Sequence, residues 1–292
     1  MLGSERTYID IREKQMLLLA MLEMLDELCD AHNIRYSLDA GTLLGAVRHK
    51  GFIPWDDDVD VLVPRPDFDE LAAHPEWLPN HYRLETLGQS GGQDYLPFAK
   101  ITDLRWRAQE PALIGFSEGH LWLDVFPADA VPDDDSEVSK LLLRQKRLHD
   151  SIGLSVSNID EITPVRWKAL IKKCVVPVHR LIHPYRKEYE LLDANARAIP
   201  FGSTNRIGNI TWSYYRPQWL PSDEFDRLTE LDFEGRRFKA VSCWDSYLTQ
   251  LYGNYMKLPP ESERRSHETR VWASELIQKQ ERSQRERIVE RS

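Results

Sequence analysis

Gly51-Phe52-Ile53-Pro54-Trp55-Asp56-Asp57-Asp58-Val59-Asp60-Val61-Leu62-Val63 decides the architecture of this 292-residue chain, because it passes from a loop into a buried strand. Gly51 and Pro54 interrupt both helical and strand periodicity, so 50–54 reads as a loop. Val59-Asp60-Val61-Leu62-Val63 then reads as a central strand, ended by Pro64 and Pro66. Side chains alternate across a strand, so Asp56, Asp58 and Asp60 are expected on one face while Val59, Val61 and Val63 pack into the core. Like charges this close repel and raise carboxylate pKa values, and a divalent cation turns that repulsion into coordination. The all-oxygen donor set points to Mg²⁺ or Mn²⁺. A solvated acidic turn is the usual fate of a charge run. The apolar strand that follows and the helix start that precedes this run favour the metal reading.

Working upstream, 34–38 reads as a short strand that Asp39-Ala40-Gly41-Thr42 turns into a short helix over 43–48. Free backbone N–H groups at that helix start suit an anion, which places an anion site beside the cation site. Leu18, Met21, Leu22, Leu25 and Leu28 recur at helical spacing and predict a packing helix over 11–32. Downstream, 67–73 begins a return helix, and 82–87, 96–101 and 121–126 read as strands of one mixed sheet, with a Gly-containing loop at 89–93. After Asp133-Asp134-Asp135 come helical segments at 138–152, 164–182 and 188–197. Strand-like stretches return at 206–210 and 231–241, and 244–252 reads as a closing helix.

The fold class is therefore α/β (α+β): a mixed β-sheet core flanked by helices, with a helical insertion. Residues 1–135 form the core with its N-terminal helix, and 136–262 the helical insertion and C-terminal part of the same domain. Residues 263–292 form a charged tail, expected as a solvated helix or a frayed end.

A net charge of −9 and a pI near 5.5 argue against a nucleic-acid partner, which requires clustered Lys and Arg. No secretory signal or membrane-length apolar span is visible, so a cytoplasmic location is expected. Cys29, Cys174 and Cys243 are far apart and without CxxC pairing, and read as ordinary small hydrophobes. His49 and His267 read as structural. Arg144, Lys146, Arg147, Lys172, Lys173 and Arg180 read as ordinary solvated faces, with peripheral contact to an anionic membrane, at its inner face, as the alternative.

Tyr36-Ser37-Leu38-Asp39-Ala40-Gly41-Thr42-Leu43-Leu44-Gly45-Ala46-Val47-Arg48 together with Gly51 through Val61 resembles the LicD-type phosphotransferases. The likeness continues at Phe98-Ala99-Lys100, Leu123-Asp124-Val125-Phe126-Pro127, Tyr252-Gly253-Asn254-Tyr255-Met256 and Leu258-Pro259-Pro260. That family, similar to the fukutin-related enzymes, implies a nucleotidyltransferase-like core that moves a phosphorylated alcohol, typically phosphocholine, from a CDP-linked donor onto a glycan or lipid-linked glycan. The wider superfamily carries a Gly followed by Gly or Ser, two alternate acids on a strand, and a third acid on a later strand. Asp58 and Asp60 match the pair and Asp124 the third acid, so the resemblance implies Asp58, Asp60 and Asp124 as catalytic. Gly41-Thr42 departs slightly, with Thr42 keeping the hydroxyl.

The implied metal set is Asp56, Asp58, Asp60 and Asp124, with Asp56 or Asp57 completing the shell or orienting it. Gly41, Thr42, Arg48 and Lys100 are the candidate donor-phosphate contacts, Arg48 by its fork and Lys100 as a point charge. Trp55, Trp122, Trp212, Tyr214 and Tyr215 are candidates for an aromatic cage around a quaternary ammonium, although core packing is the preferred reading. Transfer of a nucleotide to a sugar or protein, and a non-catalytic ligand-binding scaffold, are the rival functions.

Overall fold

The computed structural model describes residues 7–87, 96–109, 119–156, 166–212, 218–264, 266, 268–274 and 277. Helix α1 (Ile11–His32) begins in a reciprocal cap: Glu13 N–H donates to Asp10 at 2.8 Å, and Asp10 N–H donates to Glu13 at 3.1 Å. It ends where Asn33 turns left-handed at φ 57°. Its predicted stripe of Leu18, Met21, Leu22, Leu25 and Leu28 is buried.

The main sheet is built around β5 (Gly119–Val131). One side of β5 pairs in parallel with β2 (Asp60–Pro64), whose other edge takes the two-residue β1 (Ser37–Leu38). The opposite side pairs antiparallel with β4 (Ala99–Gln109), which carries β3 (Tyr82–Glu85). The mixed sheet read from the sequence is thus present, helices flank it, and the parallel β2–β5 contact aligns the two acid-bearing strands. Helices α2 (Ala40–His49) and α3 (Arg65–Ala73) lie on either side of β2 in sequence. Arg65 at the start of α3 fixes β5 through a buried fork, with Nε and Nη2 each 2.6 Å from the Asp129 carboxylate.

Four local differences from the sequence reading have physical causes. Helix α2 starts at Ala40, not Leu43, so Gly41 and Thr42 stand in its first turn. Residues 56–59 are not strand: Gln15 Nε2 donates to the Ile53 and Asp56 carbonyls at 3.3 and 2.9 Å, occupying the backbone of the acidic run from α1. The stretch 231–241 is a hairpin of β8 (Thr229–Phe233) and β9 (Arg236–Ala240), because Glu234 (φ 53°) and Gly235 (φ 75°) form a tight two-residue turn. The tail contains β10 (Arg270–Ala273), which pairs with β4 and buries Val271 and Trp272, so this part is neither a solvated helix nor frayed. The 89–93 loop lies outside the described residues, as does most of 275–292.

Three helices follow β5: α4 (Asp135–Val156), α5 (Arg166–Ile182) and α6 (Tyr185–Ala196). A short strand, β6 (Arg206–Gly208), then joins the far end of β5 and carries β7 (Leu220–Pro221) on its other edge, and α7 (Trp244–Tyr252) follows the hairpin. His149 on α4 donates from Nε2 to the Thr211 carbonyl at 2.9 Å, and burial lowers its pKa to about 4. Because the folded value lies below the ordinary value of about 6.5, this histidine's contribution to stability is complete above pH 6.5 and is lost as pH falls toward 4. Urea midpoints measured across pH 7 to 4 are expected to fall in that window, and to fall less in His149→Gln. An identical pH profile for the two proteins would refute the assignment.

Candidate active site

The acidic run is sorted by the way it enters the sheet. Asp57 turns inward, where it is buried against Lys14, Nζ to Oδ2 2.6 Å. Lys14 also donates to the Thr269 carbonyl at 2.7 Å, and Thr269 N–H donates to Asp57 at 3.2 Å. This aspartate therefore ties α1, the acidic loop and the approach to β10 together. Asp56, Asp58 and Asp60 are each only partly buried.

Asp60 is the register partner of Asp124 across the parallel β2–β5 pair, and Asp124 N–H donates to the Val59 carbonyl at 2.9 Å. Side chains of facing residues on neighbouring strands share one face of the sheet. Burial first, and then the charges of Asp58, Asp124, Asp39 and Asp56, push the Asp60 carboxyl well above the usual carboxylate range. The structure thus brings together all four predicted acids, Asp56, Asp58, Asp60 and Asp124, and adds Asp39. Trp122 Nε1 donates to Asp124 at 3.2 Å, and Leu121, Leu123 and Val125 point into the core as the alternation of β5 requires.

The predicted phosphate contacts are distributed differently. Lys100, opposite Asp124 on β4, holds Nζ 3.9 Å from its carboxylate and 4.1 Å from the Trp122 ring centroid. Thr42 is buried, and its hydroxyl accepts the Asp60 N–H at 2.9 Å, so it positions the acid-bearing strand. Gly41 lies against Asp56: a Cβ there would stand 2.7 Å from its Oδ2. Arg48 is in the last turn of α2, donating to the Tyr255 carbonyl at 2.7 Å and to His49 at 2.9 Å. Burial lowers its pKa, and the nearby Tyr252 hydroxyl partly offsets that fall.

The donor chemistry fits a hard divalent ion, since the oxygen donors brought near one another are carboxylates. Among the described residues, however, no group of three or more His, Cys, Asp or Glu side chains has metal-binding geometry as it stands, so the acids are neighbours and not a closed coordination shell. The candidate aromatic cage is not assembled by the described rings. Trp122 carries Lys100, Trp55 carries Arg264 at 4.8 Å, and Trp212 packs on Phe98 and His149. Tyr214, Tyr215 and His267 lie outside the described residues.

Residues 33–146 match the family model described as LicD/FKTN/FKRP, nucleotidyltransferase domain. The chain is 30% identical over 269 residues to the lipopolysaccharide cholinephosphotransferase LicD of Haemophilus influenzae, covering 89% of this chain and 96% of that relative. The chain belongs to the LicD family. An uncharacterized protein of Rickettsia typhi is 47% identical over 79 residues, covering 26% of this chain and 25% of its own length. The enzyme class expected from the sequence, a LicD-type phosphotransferase, holds.

Two residues of this LicD-family site carry no role in the sequence reading. Asp39 is buried, donates its N–H to the Asp60 carbonyl at 3.0 Å and accepts the Tyr247 hydroxyl at 2.8 Å. Burial raises its pKa and Tyr247 holds that rise back. Tyr252, at the end of α7, is 44% exposed, yet burial and then Asp39, Asp60, Asp56 and Asp58 push its hydroxyl up. Asp39 stands two residues before Gly41 and was legible only as a turn residue, whereas nothing local links Tyr252 to residues about two hundred positions earlier.

Gly41 supplies a sharp test of this LicD-family geometry. Gly41→Ala forces the Asp56 carboxylate aside but leaves α2 favourable, since alanine suits a helix better than glycine. Transfer activity is expected to fall about 10- to 100-fold, the cost of misplacing a catalytic constellation by roughly 1 Å, with little change in unfolding temperature. Full activity in Gly41→Ala would mean that Asp56 has no part in the site.

Proposed function

We propose that this protein transfers a phosphorylated alcohol, most directly phosphocholine, from a CDP-linked donor to a hydroxyl of a cell-surface glycan, releasing CMP. The observation that carries the reading is the side-by-side placement of Asp60 and Asp124 on parallel strands, with Asp58 and Asp56 close enough to repel them. Support for a glycan acceptor and a choline-bearing group comes from the name of the Haemophilus influenzae relative.

Asp58, Asp60 and Asp124, with Asp56 beside them, would hold Mg²⁺ or Mn²⁺, which when bound neutralises charge on the donor diphosphate and polarises the phosphorus. The acceptor oxygen attacks the distal phosphorus in line, a P–O bond to the glycan forms, and the P–O bond to CMP breaks. Asp124 takes the acceptor proton, oriented by Trp122 Nε1, while Lys100 faces the developing negative charge from β4. Thr42 keeps Asp60 in place through its backbone. The work is done in the cytoplasm, at the inner face of the membrane when the acceptor is lipid-linked. Among the described residues no helix is long and apolar enough to cross a membrane.

The test is CMP release from CDP-choline, CDP-ribitol and CDP-glycerol with a glycan acceptor, in Mg²⁺ or EDTA. Metal-dependent release with one donor preferred is the expected result. Pyrophosphate release from a nucleoside triphosphate, with no CMP from any of the three donors, would transfer the reading to nucleotidyl transfer, which the description of the matching family model keeps in view.

A further inference from the structure

Helix α5 has two sides of unlike chemistry. On the inner side Val176 is fully buried, and His179 pairs with Ser151 and Ser155 of α4 through Nε2 and Nδ1, each at 3.0 Å. Arg180 Nε adds a 2.6 Å hydrogen bond to the Ser155 carbonyl. These contacts fix which face of α5 meets the protein. On the outer side Cys174, Val175, Val178, Leu181 and Ile182 are exposed, Leu181 to 83% and Ile182 to 65%. Their spacing of i, i+1, i+4, i+7 and i+8 places them on one stripe of a helix. Single exposed apolar residues are ordinary, but a contiguous stripe marks an interaction surface.

The stretch of sequence that carries the stripe has a charge opposite to that of the whole chain. Residues 166–187 contain seven Lys and Arg and no Asp or Glu, in a chain of net charge −9. Lys173, Arg186 and Lys187 are exposed. A second copy of this chain is a poor occupant, since a two-fold contact through α5 would set this cationic stretch against itself. An apolar stripe in a cation-rich stretch matches the boundary of an anionic bilayer, where aliphatic side chains enter the acyl edge and Lys and Arg reach the phosphates.

We infer that α5 is a membrane-docking helix that lays Val175, Val178, Leu181 and Ile182 on the surface of an anionic phospholipid bilayer. The inference is independent of the catalytic reading. It places the protein on, and not across, the bilayer.

The experiment is co-sedimentation of the full chain with vesicles of phosphatidylcholine alone or with added phosphatidylglycerol. Binding is expected to be at least about tenfold stronger to the anionic vesicles and to weaken as salt shortens the range of the attraction. Val178→Glu with Leu181→Glu should reduce binding at least about tenfold, and its unfolding temperature should stay at the wild-type value because both side chains stand in solvent. Lys173→Glu with Lys187→Glu should remove the preference for phosphatidylglycerol, giving a second route should the first variant fold poorly. Asp58→Asn should bind vesicles as the wild type does, which separates this outcome from failure of the catalytic proposal. Absence of wild-type binding, equal binding by both double variants, or a concentration-dependent dimer dispersed by Val178→Glu would overturn the inference.

Discussion

Asp60→Asn is expected to lower CMP release from the preferred CDP-linked donor by about 10³-fold, the several kcal/mol that a metal-held oxygen contributes in the transition state, while leaving the unfolding temperature unchanged or higher. The two halves of that result have one cause. Burial first, and then Asp58, Asp124 on the same sheet face, Asp39 and Asp56, press the Asp60 carboxyl toward the protonated form. A carboxylate held that way destabilises the fold when ionised, so an isosteric neutral amide relieves repulsion. Its backbone N–H to Thr42 and its strand pairing survive the change. A stable, inactive protein would mark Asp60 as a residue whose strain is retained for chemistry. Two measurements decide it, steady-state CMP release and thermal unfolding of the same preparation. Wild-type turnover would remove Asp60 from the mechanism, and a large drop in unfolding temperature would make it a structural residue.

The neighbouring acid is expected to behave in the opposite way. Lys14→Met, which removes the Lys14 ammonium from the buried Asp57 carboxylate, should destabilise the protein by about 3–5 kcal/mol, the usual cost of breaking a buried ion pair from one side. Asp57→Ala should do the same by stranding Lys14. The Lys14 ammonium lies 2.6 Å from Asp57 and 2.7 Å from the Thr269 carbonyl, and both side chains are nearly sealed from water, 5% and 1% exposed. The double variant Lys14→Met, Asp57→Leu should recover much of the stability, because an apolar pair of similar volume avoids desolvating two charges. Urea unfolding of the three proteins supplies the cycle. A loss below about 1 kcal/mol in Lys14→Met would place this pair with weak surface salt bridges.

These two predictions separate Asp57 from Asp60 within a run of five residues, and that separation shows where sequence reasoning reaches its limit. Alternation along β5 was legible: Leu121, Leu123 and Val125 are buried, and Asp124 emerges on the other face. So were the α1 stripe, the bounds of α7 and the mixed sheet, because each depends on a local period or on a residue type that interrupts one. The hairpin over 229–240 was missed for a smaller reason. Its turn is Glu234-Gly235, and the left-handed Glu234 is held by Arg12 and by Phe52 N–H, which are distant in sequence. Strand β10 was missed because Val271 and Trp272 sit in a charged neighbourhood and become strand only by pairing with β4.

By itself the sequence determined the acid-bearing strand, the glycine-led helix before it, and the family to which both belong, since backbone punctuation and side-chain alternation act over a few residues. Only the tertiary structure decided that Asp60 stands beside Asp124, that Asp57 belongs to Lys14, that Thr42 secures the Asp60 backbone, and that Arg48 is joined to Tyr255. Those assignments are made by strand register and by side chains reaching across long stretches of chain, and no local period encodes either.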